Sequence, residues 1–425
     1  MKYLITLAIC LFSTAPYIFC QQAKLSGKII DSKSNEAIAF VHIGIPSQGI
    51  GTVSSENGTF TFNFPLDFLD DELEISHLGY FSQRYQLSEL DLEEEFIIRL
   101  KPQLNLLEEV EIVSTEQPLV YYIDKAIKNL NKNYPNKLHY MTGFYRQATI
   151  NRETKDYMRV LEAAVDIQDP GVYKPSSNIK LKVKELRKSD DLRPVNFRNE
   201  RLERQFGKRN ELFKIVSRSE IRSHKEMSQY KKFGSIFSAM LKNPDSLSLK
   251  GVTYYDDRKV YIIELNHRFK SGIIYLDSKD YGIYKITMTF IPRLKKKYGP
   301  GFKERDYDSF AQYRRVNGQY QLSLIRAVNI GDILDSEKGK KYTFAYEFTT
   351  LLINKFYTNK KEFDRIKSRV AIKNTEQKMF ELDYPYNESF WSSFNIIDLE
   401  PINPKVKNDL EFKESLEAQY RKNGQ

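Results

Sequence analysis

Apolar and polar positions alternate along most of the chain, in short runs set apart by turn residues. Between Lys24 and Leu100 the runs are brief: Leu25 with Ile29 and Ile30, Ala37 to Ile45, Gly58 to Phe64, Leu73 to Ile75, and Phe96 to Leu100. The run from Gly58 to Phe64 alternates strictly, so Phe60, Phe62 and Phe64 share one face of a strand. Turn signals fall between the runs, at Asp31 to Asn35, Ser47 to Gly51, Glu56-Asn57-Gly58 and Gly79. Asn57-Gly58 favours positive φ at a tight turn. About seven short strands at this spacing predict a compact antiparallel sandwich.

After Pro118 the period changes. Leu119, Ile123, Ala126, Ile127, Leu130 and Tyr134 recur at helical spacing, predicting one amphipathic helix that Pro135 ends. Strand character returns at 144–150 and 157–167. A polar, basic segment runs from Lys180 to Lys232, with a short helix expected at Met227 to Leu241. Paired strands follow at 247–255, 259–266, 271–277, 282–291, 310–315, 320–328 and 342–352. Asp256-Asp257 and Asn317-Gly318 sit at hairpin turns. The fold class expected is mainly β: the small sandwich, then a larger α+β region with one helix and a long antiparallel open sheet or half-barrel. The boundaries read as a signal peptide over 1–20, the sandwich over 24–101, a linker over 102–117, a β-rich C-terminal domain over 118–398 and a polar tail over 399–425.

The leader sets the expected compartment. Lys2 precedes an apolar stretch from Tyr3 to Phe12, broken by Ser13 to Pro16. A second patch, Tyr17 to Cys20, leads into Gln21-Gln22. The run is short of the roughly 20 apolar residues that a spanning helix needs, and its order is that of a secretory signal. Cleavage after Cys20 is expected. Lipidation of Cys20 stays open, although Tyr17 and Phe19 fit a lipoprotein signal poorly. The two cysteines, Cys10 and Cys20, both lie in the leader. The processed chain would then have no disulfide, thiolate nucleophile or cysteine metal site. No later segment is apolar enough to cross a membrane.

Charge is uneven. The chain carries a net +10, and residues 180–232 hold 17 Lys and Arg against 8 Asp and Glu. Such a segment suits phosphate-bearing headgroups or acidic sugars, or is simply a solvated face. Export and the lack of a nucleic-acid motif argue against DNA or RNA.

Candidate chemistry is sparse. None of His42, His77, His139, His224 and His267 forms an H-E-x-x-H or begins an H-x-x-E pattern. There is no G-x-S-x-G elbow and no phosphate loop. Asp256-Asp257 reads as a turn and Glu108-Glu109 as a solvated linker. Phe390-Trp391 and Phe394 are the best local candidates for stacking on a sugar, with core packing the plainer alternative. No catalytic, cofactor-binding or metal residue is assigned, and no cofactor is implied.

Four stretches carry a resemblance: Gly27 to Asp31, Ala39-Phe40-Val41, Gly51 to Phe60, and Ile75 to Tyr80. Together they resemble the carboxypeptidase regulatory-like domain, over about the first quarter of the chain. Leu107 to Ile112 resembles the segment that follows this domain in TonB-dependent receptors and other exported proteins of Gram-negative bacteria. The resemblance implies a transthyretin-like Greek-key sandwich that is itself non-catalytic. Ser55 stands where the family often has Asp, which weakens any bound cation there. Gly272 to Ile286 is similar to hairpins of periplasmic lipoprotein-carrier and localisation-factor domains.

The reading that follows is a non-catalytic periplasmic or outer-membrane-associated binding or assembly factor. Its expected partner is an envelope lipid, a glycan or an outer-membrane protein. The alternative is an envelope hydrolase, acting on glycan or peptide, whose carboxylates meet only in the fold. A receptor-like transporter front end fits less well, because the C-terminal strands lack the lipid-facing alternation of a transmembrane barrel.

Overall fold

A computed structural model describes residues 22–103, 115–151, 154–172, 174, 178–193, 212, 215–216, 236–268, 270–290, 307–334, 342–357, 370–372, 378–397 and 404–424. The expected leader with Cys20, the segment containing Glu108-Glu109, His224 and most of the basic stretch lie outside the described residues.

The first strands are β1 (Gln22–Asp31), β2 (His42–Ile45), β3 (Ile50–Val53), β4 (Thr59–Pro65), β5 (Glu72–Ser76), β6 (Gln83–Gln86) and β7 (Phe96–Leu100). They form two layers, β4-β1-β7 and β3-β2-β5-β6. Leu25, Ile29, Ile43, Phe62, Phe64, Leu73 and Ile75 fill the space between them. The expected all-antiparallel sandwich is corrected at one pair: β7 runs parallel to β1, because the chain crosses through β5 and β6 in the other layer before returning. The strand expected over 37–45 also starts late. Phe40 has φ 59°, and ladder pairing begins at His42.

The larger region opens with α1 (Leu119–Asn133), which Tyr134 and Pro135 terminate. Then come β8 (His139–Asn151), β9 (Tyr157–Asp169), β10 (Lys180–Lys188), α2 (Ile236–Lys242), β11 (Leu247–Tyr255), β12 (Arg258–His267), β13 (Lys270–Asp277), β14 (Ile283–Phe290), β15 (Tyr307–Val316), β16 (Gln319–Leu334), β17 (Tyr342–Tyr357) and β18 (Val370–Ile372). Strands β11 to β17 pair in sequence order, a meander of antiparallel neighbours. β8 then pairs β17, β9 pairs β8 and β10 pairs β9. The result is a curled, open half-barrel sheet. Asn317 and Gly318 take φ of 49° and 80°, the geometry that a two-residue hairpin between right-twisted strands requires.

Alternation divides the sheet into two faces. On one, Tyr145, Leu161, Ala163, Val165, Ile263, Ile274, Ile286, Tyr313, Ile325 and Leu351 form the main core with Ile123, Ala126 and Leu130 of α1 and Phe237 and Met240 of α2. Tyr134, at the end of α1, accepts from the Ile283 amide at 2.9 Å and pins the helix to β14. The opposite face takes the N-terminal sandwich on one side and the C-terminal helices α3 (Glu388–Ser393), α4 (Pro404–Leu410) and α5 (Leu416–Lys422) on the other.

The expected polar tail is therefore a packed element over 404–424. Val406 with Leu410, and Leu416 with Tyr420, are apolar pairs four residues apart. They rest on Ala148 and Val160, and Ser415 caps α5 by accepting from the Ala418 amide.

Candidate functional site

The second sheet face carries buried charge, and pairing register explains how. Arg146 lies opposite Glu162, and Glu162 opposite Arg187. One step along, Phe144 faces Ala164 and Ala164 faces Glu185. One further, Thr142 faces Asp166 and Asp166 faces Lys182, with Lys355 of β17 beside Thr142. Lys184 is the extra residue of a bulge between Val183 and Glu185.

The first row is closed. Arg146 Nε donates to Glu162 Oε1 at 2.7 Å and Arg187 Nε to Oε2 at 2.6 Å. Glu162 is 1% exposed. Burial would raise its carboxyl, but Arg187 and Arg146 overcome this and hold it below the usual range. Arg146 also donates to the Ile397 carbonyl at 2.6 Å. The Arg187 guanidinium lies over both the Trp391 and the Tyr420 rings, at 4.3 and 5.2 Å. Cations on aromatic faces gain without needing a further anion.

The third row is less evenly matched. Thr142 Oγ1 donates to Asp166 Oδ1 at 2.7 Å and lies 3.0 Å from the Tyr357 hydroxyl. Lys184 Nζ is 4.0 Å from Asp166. Burial raises Asp166 despite Lys184 and the Thr142 hydroxyl. Burial likewise lowers Lys184, against the pull of Asp166 and Glu185.

Beside Glu185 the face opens into a cleft of about 650 Å³, lined by Glu185, Pro385, Tyr386, Asn387, Glu388, Ser389 and Ser392. Asn387 ties the two walls together. Its Nδ2 donates to Glu185 Oε1 at 3.3 Å, while its Oδ1 accepts from Ser389 Oγ at 2.9 Å and from the Phe390 amide at 3.2 Å. Behind the cleft, Arg421 pairs with Glu388 at 2.8 Å and lies over the Tyr386 ring at 5.5 Å.

On the far side of the same face the N-terminal sandwich is clamped down. Phe356 donates its amide to the Gly49 carbonyl at 3.0 Å, and Gly79 donates to the Tyr254 carbonyl at 2.9 Å. Phe40 packs on Phe310 with ring centroids 5.4 Å apart. Asn395 holds the Asn63 backbone through both its amide oxygen and its nitrogen. His42, 5% exposed, accepts from Arg314 Nη1 at 2.8 Å. Burial and Arg314 keep His42 well below the ordinary imidazole value. Burial and Lys285 take His77 down to about 4. Arg314 is itself lowered by burial to about 10 and stays charged at neutral pH.

This sandwich is the segment that carried the resemblance. Residues 25–112 match the CarboxypepD_reg-like domain. A search of curated proteins finds no match. Among solved structures, one of lipovitellin concerned with lipid–protein interactions aligns at 9% identity and a TM-score of 0.23, over 53% of this chain and 26% of that one. The chain thus spans about a quarter of that protein, and so distant a likeness carries no argument. The CarboxypepD_reg-like domain places two of the five histidines, His42 and His77, at its seam with the half-barrel.

The remaining sequence candidates fall elsewhere. His139 bonds the Lys137 carbonyl, and His267 ends β12. Asp256 and Asp257 form the β11–β12 turn, with Asp256 at φ 50°. Trp391 is buried, and Phe390 and Phe394 stack on each other at 5.0 Å, so this aromatic cluster is core and not an exposed platform. Among the described residues, no three His, Cys, Asp or Glu side chains gather as a metal site, and no helix is long and apolar enough to cross a membrane. Sequence reasoning missed Glu185, Asp166 and Thr142, and found Phe390-Trp391 without the cleft-lining residues beside them, Tyr386, Asn387 and Glu388. Their signal is weak, since Thr142, Asp166 and Glu185 occupy unremarked polar positions until pairing register aligns them.

Proposed function

We propose that the protein is a non-catalytic binding or assembly factor of the bacterial cell envelope, periplasmic or associated with the outer membrane. The observation that carries this reading is the open polar cleft beside Glu185, of a size that suits small ligands. One wall is a sheet strand and the other is fixed by α5, which suits binding without rearrangement. The charged, apolar and aromatic order of residues 2–20 supports export. The CarboxypepD_reg-like domain acts in this reading as a brace for the sheet and not as a tethered arm.

The test is to purify the protein from native envelope extract and identify by mass spectrometry what accompanies it. A stoichiometric lipid, glycan or outer-membrane protein is the expected result. Reproducible metal- or serine-dependent hydrolysis by the pure protein would sink the reading. The mass of the N-terminal peptide separates cleavage after Cys20 from its lipidation.

Asp166 favours a second reading, an envelope hydrolase. Burial raises its carboxyl, it is bonded to the Thr142 hydroxyl, and it stands near Lys184. Turnover of an envelope polymer that disappears in Asp166→Asn would support this reading. Turnover unchanged by that substitution would remove it.

A further inference from the structure

We infer that the cleft beside Glu185 is a subsite for a neutral, hydroxyl-rich oligosaccharide. This deepens the envelope-binding reading and rests on it for where the ligand comes from, but not for the chemistry of the cleft. The argument begins with charge. The lining offers two carboxylates, Glu185 and Glu388, with an amide, two serine hydroxyls and the Tyr386 phenol. Among the described residues it contains no Lys or Arg. A phosphate or acidic sugar would meet two carboxylates there, whatever the +10 of the whole chain suggests.

Each carboxylate nevertheless has a cation outside the cleft. Arg421, shared with Glu417, pairs with Glu388 at 2.8 Å, and Lys184, shared with Asp166, feels Glu185 across the bulge. The cleft is therefore rich in acceptors whose charge is met in part from behind, so an amine gains less attraction than at two bare carboxylates. A hydroxyl donor gains as well, because hydrogen bonds to an ionised carboxylate are about twice as strong as neutral ones. Asn387 fixes Glu185 Oε1 by donating to it, so this acceptor does not have to be ordered on binding. Pro385 and Tyr386 add a stiff apolar wall, with Tyr386 backed by Tyr420 at 5.6 Å. Two carboxylates beside an aromatic and a proline suit a ligand with hydroxyls on its edges and C–H groups on its faces.

The test uses purified full-length protein, an array of neutral oligosaccharides, and titration calorimetry on those retained. Spermidine and a heparin fragment serve as cationic and anionic controls. Ser392 and Ser389 are exposed on the cleft lip, so Ser392→Trp and Ser389→Trp fill the cleft without entering the core. At least one neutral oligosaccharide is expected to bind, with affinity falling at least tenfold in each variant and unfolding midpoints unchanged. A folded protein that retains no neutral oligosaccharide overturns the ligand class. So does spermidine or heparin binding that the Trp variants abolish. Oligosaccharide binding that is unchanged in both variants overturns the location. If Ser392→Trp still retains its envelope component at native stoichiometry, the cleft inference fails while the envelope-binding reading stands.

Discussion

The seam between the CarboxypepD_reg-like domain and the half-barrel should weaken in mild acid. A guanidinium can only donate, so His42 Nε2, which meets Arg314 Nη1 at 2.8 Å, must carry no proton. His77 faces Lys285 across the same seam. Glu74 acts on Arg314 from β5, as does the Tyr255 hydroxyl, which donates to Ser76. Neither carboxylate nor phenol bonds either imidazole. Protonating a histidine here places a cation against a cation, fully buried at His42 and half-buried at His77. The native state therefore keeps both imidazoles neutral, while an unfolded chain takes up protons below about 6.5. The unfolded state then binds more protons, and stability falls as pH falls. For His77, with a native value of about 4, the loss between pH 7 and 5 is about 2 kcal/mol, and His42 adds in the same direction. Asp166 works the other way. Its carboxyl is raised in the native state, so acid stabilises the fold relative to the unfolded chain at that position and cannot account for the loss. Urea unfolding followed by the fluorescence of Trp391, the chain's one tryptophan, measures this at pH 7, 6 and 5. His77→Gln should flatten the dependence by about 2 kcal/mol over that range. Stability that is constant from pH 7 to 5 in the wild type, or a full slope retained in His77→Gln, would refute the reasoning.

Glu162→Ala leaves two buried guanidinium groups without their shared anion and should cost about 3–5 kcal/mol in urea unfolding; a loss under 1 kcal/mol would mean that water reaches Arg146 and Arg187. Tyr420→Ala removes one of the two aromatic contacts of Arg187 and a member of the α4–α5 core, for about 3 kcal/mol, with a red shift of Trp391 emission as the local reporter. Gly58 has φ +78°, and a Cβ there would lie 2.4 Å from the Ile29 carbonyl, so Gly58→Ala should lower stability by at least about 1–2 kcal/mol, read as a drop in melting temperature.

Much of the architecture was legible. Phe60, Phe62 and Phe64 alternate and are all buried, Leu119 to Tyr134 carry helical spacing, and Asn317-Gly318 and Asp256-Asp257 turn the strands as their chemistry requires. What escaped reading is long-range. Gln312, Arg314 and Arg326 alternate with core residues and look like solvent-facing positions. Only the docked sandwich turns that face into an interface, through the Phe40 carbonyl, His42 and Glu56. The α4–α5 segment hides its apolar pairs among charges, so each pair is too short to register as a periodic stripe. The cleft joins Glu185 to residues about 200 positions later, a meeting that local pattern cannot announce.

The charged row on β8, β9 and β10 also bears on the order of folding. A chain made from its N-terminus has completed these strands long before Trp391 and Tyr420 emerge, and β8 must also wait for β17. Until then Arg146, Glu162 and Arg187 remain in water, where no desolvation is incurred. Contacts of such high sequence separation slow folding, because loop closure precedes any gain from pairing. The wet charges keep the waiting strands soluble and become a buried ion cluster only when Trp391, Ile397 and Tyr420 close over them. The same three side chains thus guard the nascent sheet against sticking and then lock the finished one.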